Sequence, residues 1–368
     1  MTTTSRYGED QLLRARMALA SEVERGSAGL SSRVVEAFLN VPRHPFVPVL
    51  YREESGVHRP WRDDEVWLRE VYSDRVLVTE VDGVHAENAG PEGVSGPATS
   101  SSTLPSLMAD MLDALDVRPG DRVLEIGTGT GYNAALLCHL AGAAYVTTVD
   151  RTERLVATAR TRLREAGFEP TVVQADGADG YPAAAPYDRI IATCAVRRIP
   201  RAWLDQCAPG GLIVAPVGSA VARLTKLTDG RAVGRFLHRP VGFMPLRDGT
   251  DAALEAPEQQ ANSRATEVDP HVLDDPGFAF WADLHLGPTV VRDGHALRDD
   301  ADGSTARGRG RTVVLGGPRD LWRTVEAAHR TWLDRNRPRR EWFTVEAGPG
   351  GQFVGYAAPD GARSRWDL

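Results

Sequence analysis

The sequence has few of the features that mark secreted or membrane proteins. It contains only three cysteines, Cys138, Cys194 and Cys207, and their spacing matches neither a metal site nor a disulfide framework. No apolar run approaches the ~20 residues that span a bilayer. The residues after Met1 are polar and charged, unlike the apolar core of a signal peptide. We therefore expect a cytoplasmic protein that does not bind a membrane.

Positive charge is also in the minority. The chain has 43 Lys and Arg against 50 Asp and Glu, a net charge of −7, and Lys226 is its single lysine. A nucleic-acid partner is not expected, because such a protein needs a basic face. The hydrophobic share of 42% and the charged share of 25% are typical of globular domains. With 368 residues, the length predicts about two domains.

The middle of the chain has an alternating pattern. Between residue 104 and about residue 240, short apolar runs such as 122–126 and 145–149 alternate with helical segments. Buried strands that alternate with helices predict a parallel α/β sheet. Two further runs, 222–228 and 235–238, predict a hairpin at the end of this region.

The flanking regions have a different character. Residues 9–25 predict an amphipathic helix, whereas 51–97 is expected to be irregular, with short strand-like pieces such as 75–81. Residues 248–270 are polar and aperiodic, which favours a linker. The remainder predicts a smaller α+β unit with five of the eight tryptophans, interpreted as core packing rather than a ligand cage. The predicted domains are therefore residues 1–97, 98–247 and 271–368, with 248–270 between the last two.

A glycine-rich turn is the strongest local signal. The apolar strand at 123–126 runs directly into Gly127, Gly129 and Gly131, which precede a helix. Glycines allow a sharp turn and a close approach of a ligand to the backbone. Similar turns bind dinucleotides and phosphates. However, the G-x-G-x-G spacing, with Glu125 inside the strand, favours S-adenosylmethionine over the G-x-G-x-x-G spacing of dinucleotide sites.

Two acidic residues further along the chain support a nucleoside-containing cofactor at the glycine-rich turn. Asp150 ends the second predicted strand, where a carboxylate can accept hydrogen bonds from ribose hydroxyls. Asp176 and Gly177 follow the third strand, where an acid can contact an adenine edge. Alternatively, both acids are only turn residues at strand ends. The predicted cofactor-binding residues are Glu125, Gly127, Thr128, Gly129, Asp150, Asp176 and Gly177. No metal ion is expected.

Several motifs occur in a fixed order along more than half of the chain. They are residues 41–43 and 46–48, 123–131, 174–177, 187–191, 210–218 and 242–246. In this order, residues 31–245 resemble the protein-L-isoaspartate O-methyltransferases. The resemblance implies a Rossmann-like class I methyltransferase fold with a doubly wound, mostly parallel sheet. It also implies S-adenosyl-L-methionine as methyl donor and S-adenosyl-L-homocysteine as product.

The family carries a short substrate motif, Thr-Ile-Ser, before the first sheet strand. Gapless counting places Ser101, Ser102 and Thr103 on it, so Thr103 stands where the family has serine. The resemblance implies that these hydroxyls are catalytic and orient the substrate carboxylate. Neighbouring Ser100, Ser101 and Ser102 are alternative sources of the hydroxyl that the family's serine supplies. The alternative is a helix N-cap for the segment that starts at Leu104. The catalytic role and the N-cap role are compatible if the helix N-terminus itself binds the substrate carboxylate.

The chain continues for about 120 residues beyond the closing motif at 242–246. In this it resembles long family members that accompany ribosomally made peptides, such as lanthipeptides and graspetides. That resemblance implies methylation of an aspartate in a modified cyclic precursor peptide, after which the ester closes to aspartimide or yields isoaspartate. The alternatives are repair of isoaspartyl residues in damaged proteins and a peptide-binding protein without catalysis. In each case the expected partner is a peptide or protein.

Overall fold

The computed structural model describes residues 7–62, 65–246 and 262–368. The chain divides into two compact units. The first comprises Met1–Cys194 and Asp205–Val214, and the second comprises Ala195–Leu204 and Ala215–Leu368. Within the described ranges, no helix is both long and apolar enough to cross a membrane.

The first unit contains most of the helices. Its elements in chain order are α1 (Glu9–Gly26), α2 (Ser32–Asn40), β1 (Val49–Glu54), β2 (Val57–Arg62), α3 (Glu65–Val71), β3 (Leu77–Val81), β4 (Val84–His85), β5 (Ala98–Ser102), α4 (Pro105–Leu115), β6 (Val123–Ile126), α5 (Tyr132–Ala141), β7 (Val146–Asp150), α6 (Glu153–Glu165), β8 (Thr171–Gln174) and β9 (Tyr187–Ala192). The chain then passes through α7 (Arg201–Gln206) and β10 (Cys207–Val217). Both of these elements contain residues of each unit.

A parallel sheet forms the centre of the first unit. Its strands follow the order β8-β7-β6-β9-β10, and every neighbouring pair is parallel. All four residues of β6 are buried, which explains why this strand reads as a short apolar run. The order reverses between β6 and β9, and open α/β sheets bind ligands at such a point, beyond the carboxyl ends of the strands. The predicted doubly wound, Rossmann-like sheet is confirmed.

The prediction for residues 51–97 is confirmed at 75–81, where β3 lies, but the rest of the stretch is more regular than expected. This stretch contains the β1–β2 hairpin, helix α3 and a three-stranded sheet of order β4-β3-β5. Pairing of β3 with β5 (Ala98–Ser102) joins the region before residue 97 to the residues after it. For this reason the structure has no boundary at 97, although the sequence predicted one there.

The predicted helix N-cap is also wrong. Helix α4 begins at Pro105, and its cap residue is Leu104, which makes no side-chain capping bond. The backbone N–H of Ser106 instead donates to Oδ1 of Asp74, at 2.8 Å. An acidic side chain from elsewhere in the chain therefore satisfies this helix end.

The second unit is rich in strands. Its remaining elements are β11 (Ala220–Lys226), β12 (Ala232–Pro240), β13 (Asn262–Ala265), α8 (Pro276–Leu286), β14 (Val290–Asp293), β15 (Ala296–Asp299), β16 (Thr305–Arg309), β17 (Thr312–Gly316), α9 (Leu321–Asp334), β18 (Thr344–Gly348), β19 (Gly351–Ala357) and β20 (Arg363–Asp367). They form an antiparallel run in the order β11-β12-β18-β19-β20 and a separate antiparallel sheet in the order β13-β17-β16-β15-β14. The predicted hairpin near 222–238 is the β11–β12 pair.

Two predicted boundaries change because of strand pairing in this unit. Strand β12 pairs with β18, so residues 232–240 belong with the C-terminal part of the chain. Residues 248–261 of the predicted linker 248–270 lie outside the described residues. Its next residues, Asn262–Ala265, form a sheet strand paired with β17.

Aromatic side chains form much of the core of the second unit. Trp281 and Trp322 are almost fully buried. Their indole N–H groups donate to the carbonyl of Ala328 and the hydroxyl of Thr266. Phe343 is fully buried and stacks on another aromatic ring at a centroid distance of 4.8 Å. The interpretation as core residues is confirmed for Trp281, Trp322 and Trp332, but it is wrong for Trp342, which is 44% exposed.

Candidate active site

The glycine loop lies between the carboxyl end of β6 and the start of α5. Gly127 has a φ of +97°, and a Cβ atom there would lie 2.6 Å from Oγ1 of Thr193. The Thr193 hydroxyl donates to the carbonyl of Gly127, at 2.7 Å. Because Thr193 directly follows β9, this bond ties the loop to the neighbouring strand at the point where the strand order reverses. Only glycine fits at position 127.

Gly129 faces space rather than a packed neighbour. Its φ is +51°, and the nearest atoms to an added Cβ would be Oγ of Ser100 and the carbonyl oxygen of Ser101, each at 3.9 Å. A larger side chain would strain the backbone and enter this space. The glycine loop and the hydroxyl-rich strand β5, which are about 28 residues apart in sequence, are therefore brought together.

The two predicted acids lie at the carboxyl ends of adjacent strands. Oδ2 of Asp150 accepts from the backbone N–H of Gly129, and Oδ1 accepts from that of Thr152, both at 3.0 Å. Oδ1 of Asp176 accepts from the N–H of Ala178. A carboxylate oxygen has two lone pairs, so both oxygens of Asp150 can accept one further bond. The structure thus brings Gly129 and Asp150 into direct contact.

Glu125 acts within the protein interior. Its side chain is fully buried, Oε1 accepts from the amide of Asn133 at 2.8 Å, and Oε2 accepts from the hydroxyl of Thr148 at 2.6 Å. Thr148 is also 2.7 Å from the hydroxyl of Thr128. Burial raises the pKa of the Glu125 carboxyl to about 7, although the hydrogen bonds from Thr148 and Asn133 lower it. Glu125 and Thr128 therefore support the glycine loop from beneath.

The three predicted catalytic hydroxyls have different environments. Ser102 is buried, and its hydroxyl accepts two bonds from Arg43, at 3.0 and 3.2 Å. Ser101 and Thr103 are partly exposed. Among the described residues, no side chain is hydrogen-bonded to either of their hydroxyls. The alternation of side chains along a strand places Ser101 on the face opposite to Ser102. Only Ser101 and Thr103 are thus open to a ligand.

Arg43 is the residue that sequence reasoning missed. Its guanidinium is fully buried and makes seven hydrogen bonds to neutral oxygens. The acceptors are the carbonyls of Val71, Ser73, Arg75, Ser102 and Thr103 and the hydroxyl of Ser102. Burial lowers the pKa of Arg43 to about 10, so the guanidinium stays charged at neutral pH. Its place in the motif at 41–43 was the available signal.

These residues fit S-adenosylmethionine. The lack of a side chain at Gly129 leaves room beside the loop, and Asp150 has lone pairs for the ribose hydroxyls. Asp176 and Gly177 lie just beyond β8, and their contact with the adenine stays a prediction. Ser101 and Thr103 stay the predicted substrate-side hydroxyls. In the hydroxyl segment, Oγ of Ser100 and the backbone carbonyl of Ser101 are the atoms nearest to the space beside Gly129.

The buried carboxyl of Glu125 predicts a pH-dependent stability. Since its pKa is raised in the folded state, its contribution is fully present below about pH 4.5 and is lost as pH rises through 7. Replacement by Gln keeps the hydrogen-bonding shape and removes the titration. We expect Glu125→Gln to gain roughly 3 kcal/mol relative to wild type between pH 4.5 and 8. Urea unfolding at several pH values measures this.

The control for that experiment is Glu169→Gln, because Glu169 is exposed. Its stability should change with pH as that of the wild type does. Parallel pH profiles for Glu125→Gln and wild type would contradict the raised pKa.

Arg43 predicts a second effect. Lysine has three donors and no planar fork, so Arg43→Lys leaves several of the buried carbonyls at 71–75 and 102–103 without a partner. We expect a loss of roughly 2–4 kcal/mol of stability, measured by urea unfolding. Arg69→Lys, at an exposed position on α3, is the matched control. Equal stability of both variants would show that the Arg43 hydrogen bonds are dispensable.

Comparisons with known proteins agree with this geometry. A family model described as "Protein-L-isoaspartate(D-aspartate) O-methyltransferase (PCMT)" matches residues 15–251. A protein-L-isoaspartate O-methyltransferase of Ignicoccus hospitalis is 36% identical over 220 residues, covering 58% of this chain and 88% of that protein. One from Azorhizobium caulinodans is 42% identical over 169 residues, covering 44% of this chain and 77% of that protein.

The likeness in fold reaches further along the chain. A solved structure of a protein-L-isoaspartate O-methyltransferase is 22% identical, with a TM-score of 0.54, and covers 93% of this chain and 99% of its own. The family match includes the glycine loop, Asp150, Asp176 and the hydroxyl segment at 101–103. The chain therefore belongs to the protein-L-isoaspartate(D-aspartate) O-methyltransferase family, whose members are carboxyl O-methyltransferases that use S-adenosyl-L-methionine.

Proposed function

We propose that this protein methylates the free carboxylate of isoaspartyl residues in peptides and proteins. The family match over residues 15–251 carries the proposal, since it contains both the glycine loop and the hydroxyl segment. The relatives from Ignicoccus hospitalis and Azorhizobium caulinodans bear the name of this activity. The closeness of the glycine loop to β5 supports it, because methyl transfer requires the donor and the acceptor side by side. A Cβ atom added at Gly129 would lie 3.9 Å from Ser100 and Ser101.

The chemistry asks little of the protein beyond positioning. S-adenosylmethionine supplies a methyl group bonded to a positively charged sulfur, which is a good leaving group. A carboxylate is already ionised at neutral pH, so no general base is needed. The task of the protein is to hold the two reactants in line and exclude water.

Ser101 and Thr103 suit that task. A hydroxyl donates one hydrogen bond to a carboxylate oxygen and leaves the other oxygen free to accept the methyl group. It also leaves the carboxylate its negative charge, whereas an ion pair with arginine would reduce its nucleophilicity. Ser102 is a positioning residue in this scheme, since Arg43 occupies its hydroxyl.

A second candidate function is the tailoring of a ribosomally made, crosslinked peptide at an ordinary aspartate. The observation in its favour is an exposed basic hairpin, β16–β17, with Arg307, Arg309 and Arg311 on the surface. Such a hairpin could receive an acidic peptide. The length of the chain is not an argument for tailoring, because a solved isoaspartate methyltransferase covers 93% of it.

Changes at Gly129 and Asp150 test the cofactor site. Gly129→Val adds a side chain to the space beside the loop, and Asp150→Ala removes the ribose acceptor. We expect each to weaken S-adenosylmethionine binding at least about tenfold, a loss of about 1.4 kcal/mol, in isothermal calorimetry. Asp179→Ala, at an exposed position nearby, should bind normally. Near-normal binding by both site variants would mean that the cofactor lies elsewhere.

Loss of the Ser101 and Thr103 hydroxyls should affect turnover, whereas loss of the Ser102 hydroxyl should affect stability. Ser101→Ala combined with Thr103→Ala should leave cofactor affinity within a few-fold but lower turnover at least about tenfold. Ser102→Ala should mainly lower the unfolding midpoint, since it removes an acceptor of Arg43. Steady-state kinetics and thermal unfolding of both variants measure these two effects. Full turnover by the double variant would rule out the orienting role.

Substrate choice decides between the two functions. Full-length protein is offered a short isoaspartyl peptide, the same peptide with ordinary aspartate, and an acidic crosslinked peptide with ordinary aspartates. We expect methylation of the isoaspartyl peptide alone, detected by mass spectrometry as the gain of one CH₂ group. Methylation of the crosslinked peptide alone would overturn the proposal in favour of tailoring. In that case a variant with Arg307, Arg309 and Arg311 changed to Gln should lose the activity.

A further inference from the structure

Three potential metal ligands lie together on the surface of the second unit. They are His271 and Asp274, in the short 3-10 turn before α8, and His295, in the turn between β14 and β15. One ligand atom from each residue lies within 4.8 Å of the other two. None of these residues belongs to the proposed methyl-transfer site.

Asp274 lies between the two histidines. Its Oδ2 is 2.8 Å from Nδ1 of His271, and its Oδ1 is 2.8 Å from Nε2 of His295. The imidazole rings are edge to face, with centroids 4.8 Å apart. The three side chains are therefore brought together by Asp274, which contacts each histidine through a different oxygen, although the residues come from two separate parts of the sequence.

The backbone holds both contributing turns in place. The N–H of His271 donates to the carboxylate of Asp269, which caps the 3-10 turn. The carbonyl of His295 accepts from the N–H of Gly308 on the neighbouring strand β16. Spacing of i and i+3 in a 3-10 turn places His271 and Asp274 on one face. Because the backbone of both turns is fixed, rotation of the His271, Asp274 and His295 side chains is enough to adjust the distances among their ligand atoms.

From this geometry we propose that His271, Asp274 and His295 bind one divalent transition-metal ion of the Zn²⁺ class. Imidazole nitrogen and carboxylate oxygen are the ligands that such ions take, at about 2.0–2.2 Å. Ligands at that distance from one ion are separated by roughly 3 Å when they are adjacent in its coordination sphere. The Asp–His separations are 2.8 Å, and one ligand atom of each residue lies within 4.8 Å of the other two, so side-chain rotation has to bring the donors closer around an ion.

Charges of both signs surround the cluster. The carboxylates of Asp269 and Asp274 act on His271, whereas Arg307 of the basic hairpin is paired with Ala296, the residue after His295. A neutral imidazole is the ligand form, so a bound ion takes the place of the His–Asp hydrogen bonds. The bound ion connects the turn before α8 to the β14–β15 hairpin, and its remaining coordination positions are open to water.

Zinc titration of the full-length, untagged protein tests the proposal. The protein is first treated with a chelator and dialysed, and ZnCl₂ binding is then followed by isothermal calorimetry at pH 7.5. We expect His271→Ala and His295→Ala each to weaken the tightest site at least tenfold, and Asp274→Asn to weaken it as well. His238→Ala, at an exposed histidine on β12, should bind as the wild type does.

Thermal unfolding provides the second measurement. Zn²⁺ should raise the unfolding midpoint of the wild type and of His238→Ala, with no rise in His271→Ala or His295→Ala. Equal zinc affinity in wild type, His271→Ala and His295→Ala would overturn the proposal. So would the lack of any binding by wild type, which would leave the three residues as a hydrogen-bonded cluster only. Neither result would affect the methyltransferase proposal, because the assay uses no peptide or cofactor.

Discussion

The first unit depends on one buried cation. The guanidinium of Arg43 joins the chain after α3 to the end of β5, and it does so through neutral oxygens only. A buried charge is costly unless its donors are satisfied. Here all of the bonds run to backbone carbonyls and one serine hydroxyl, so the cation fixes the course of two segments at once. The hydroxyls of Ser101 and Thr103 take their positions from this arrangement.

The cofactor side of the site has its own internal support. Glu125, Thr148 and Thr128 form a hydrogen-bonded chain below the glycine loop, while Asp150 and Thr193 bind its backbone from two neighbouring strands. Because β7 and β9 lie on either side of β6, the loop is held from both sides. The conformation of the loop is thus specified before any ligand arrives.

The parallel sheet and the cofactor site could largely be predicted from the sequence, because the residues that form them also produce a strong local pattern. Strand β6 is buried on both faces, and the turn that follows it requires glycines. The motif at 123–131 therefore predicted both the sheet and the cofactor. Positions 51–97 and 262–265 could not be predicted in the same way. Their strands are short and partly polar, and they form through pairing with distant segments rather than through a strong local pattern.

Residues that act across long sequence distances were missed for the same reason. Arg43 contacts residues about 30 and 60 positions away, and Asp74 caps a helix that begins at Pro105. A lone charged residue carries no periodicity that would reveal such a partner. His295 is likewise 21 residues from Asp274, and only the hairpin brings them together.

The pleat of β5 has an evolutionary consequence. Ser102 points towards Arg43, whereas Ser101 points the other way and Thr103 follows the strand, holding Arg43 through its backbone carbonyl. Position 103 can therefore drift between serine and threonine, because the anchor there is made by the main chain. Insertion or deletion of a single residue within the strand, by contrast, would exchange the inward and outward positions. Lineages of this protein should tolerate the exchange of serine and threonine at position 103 far better than a change in the length of this segment.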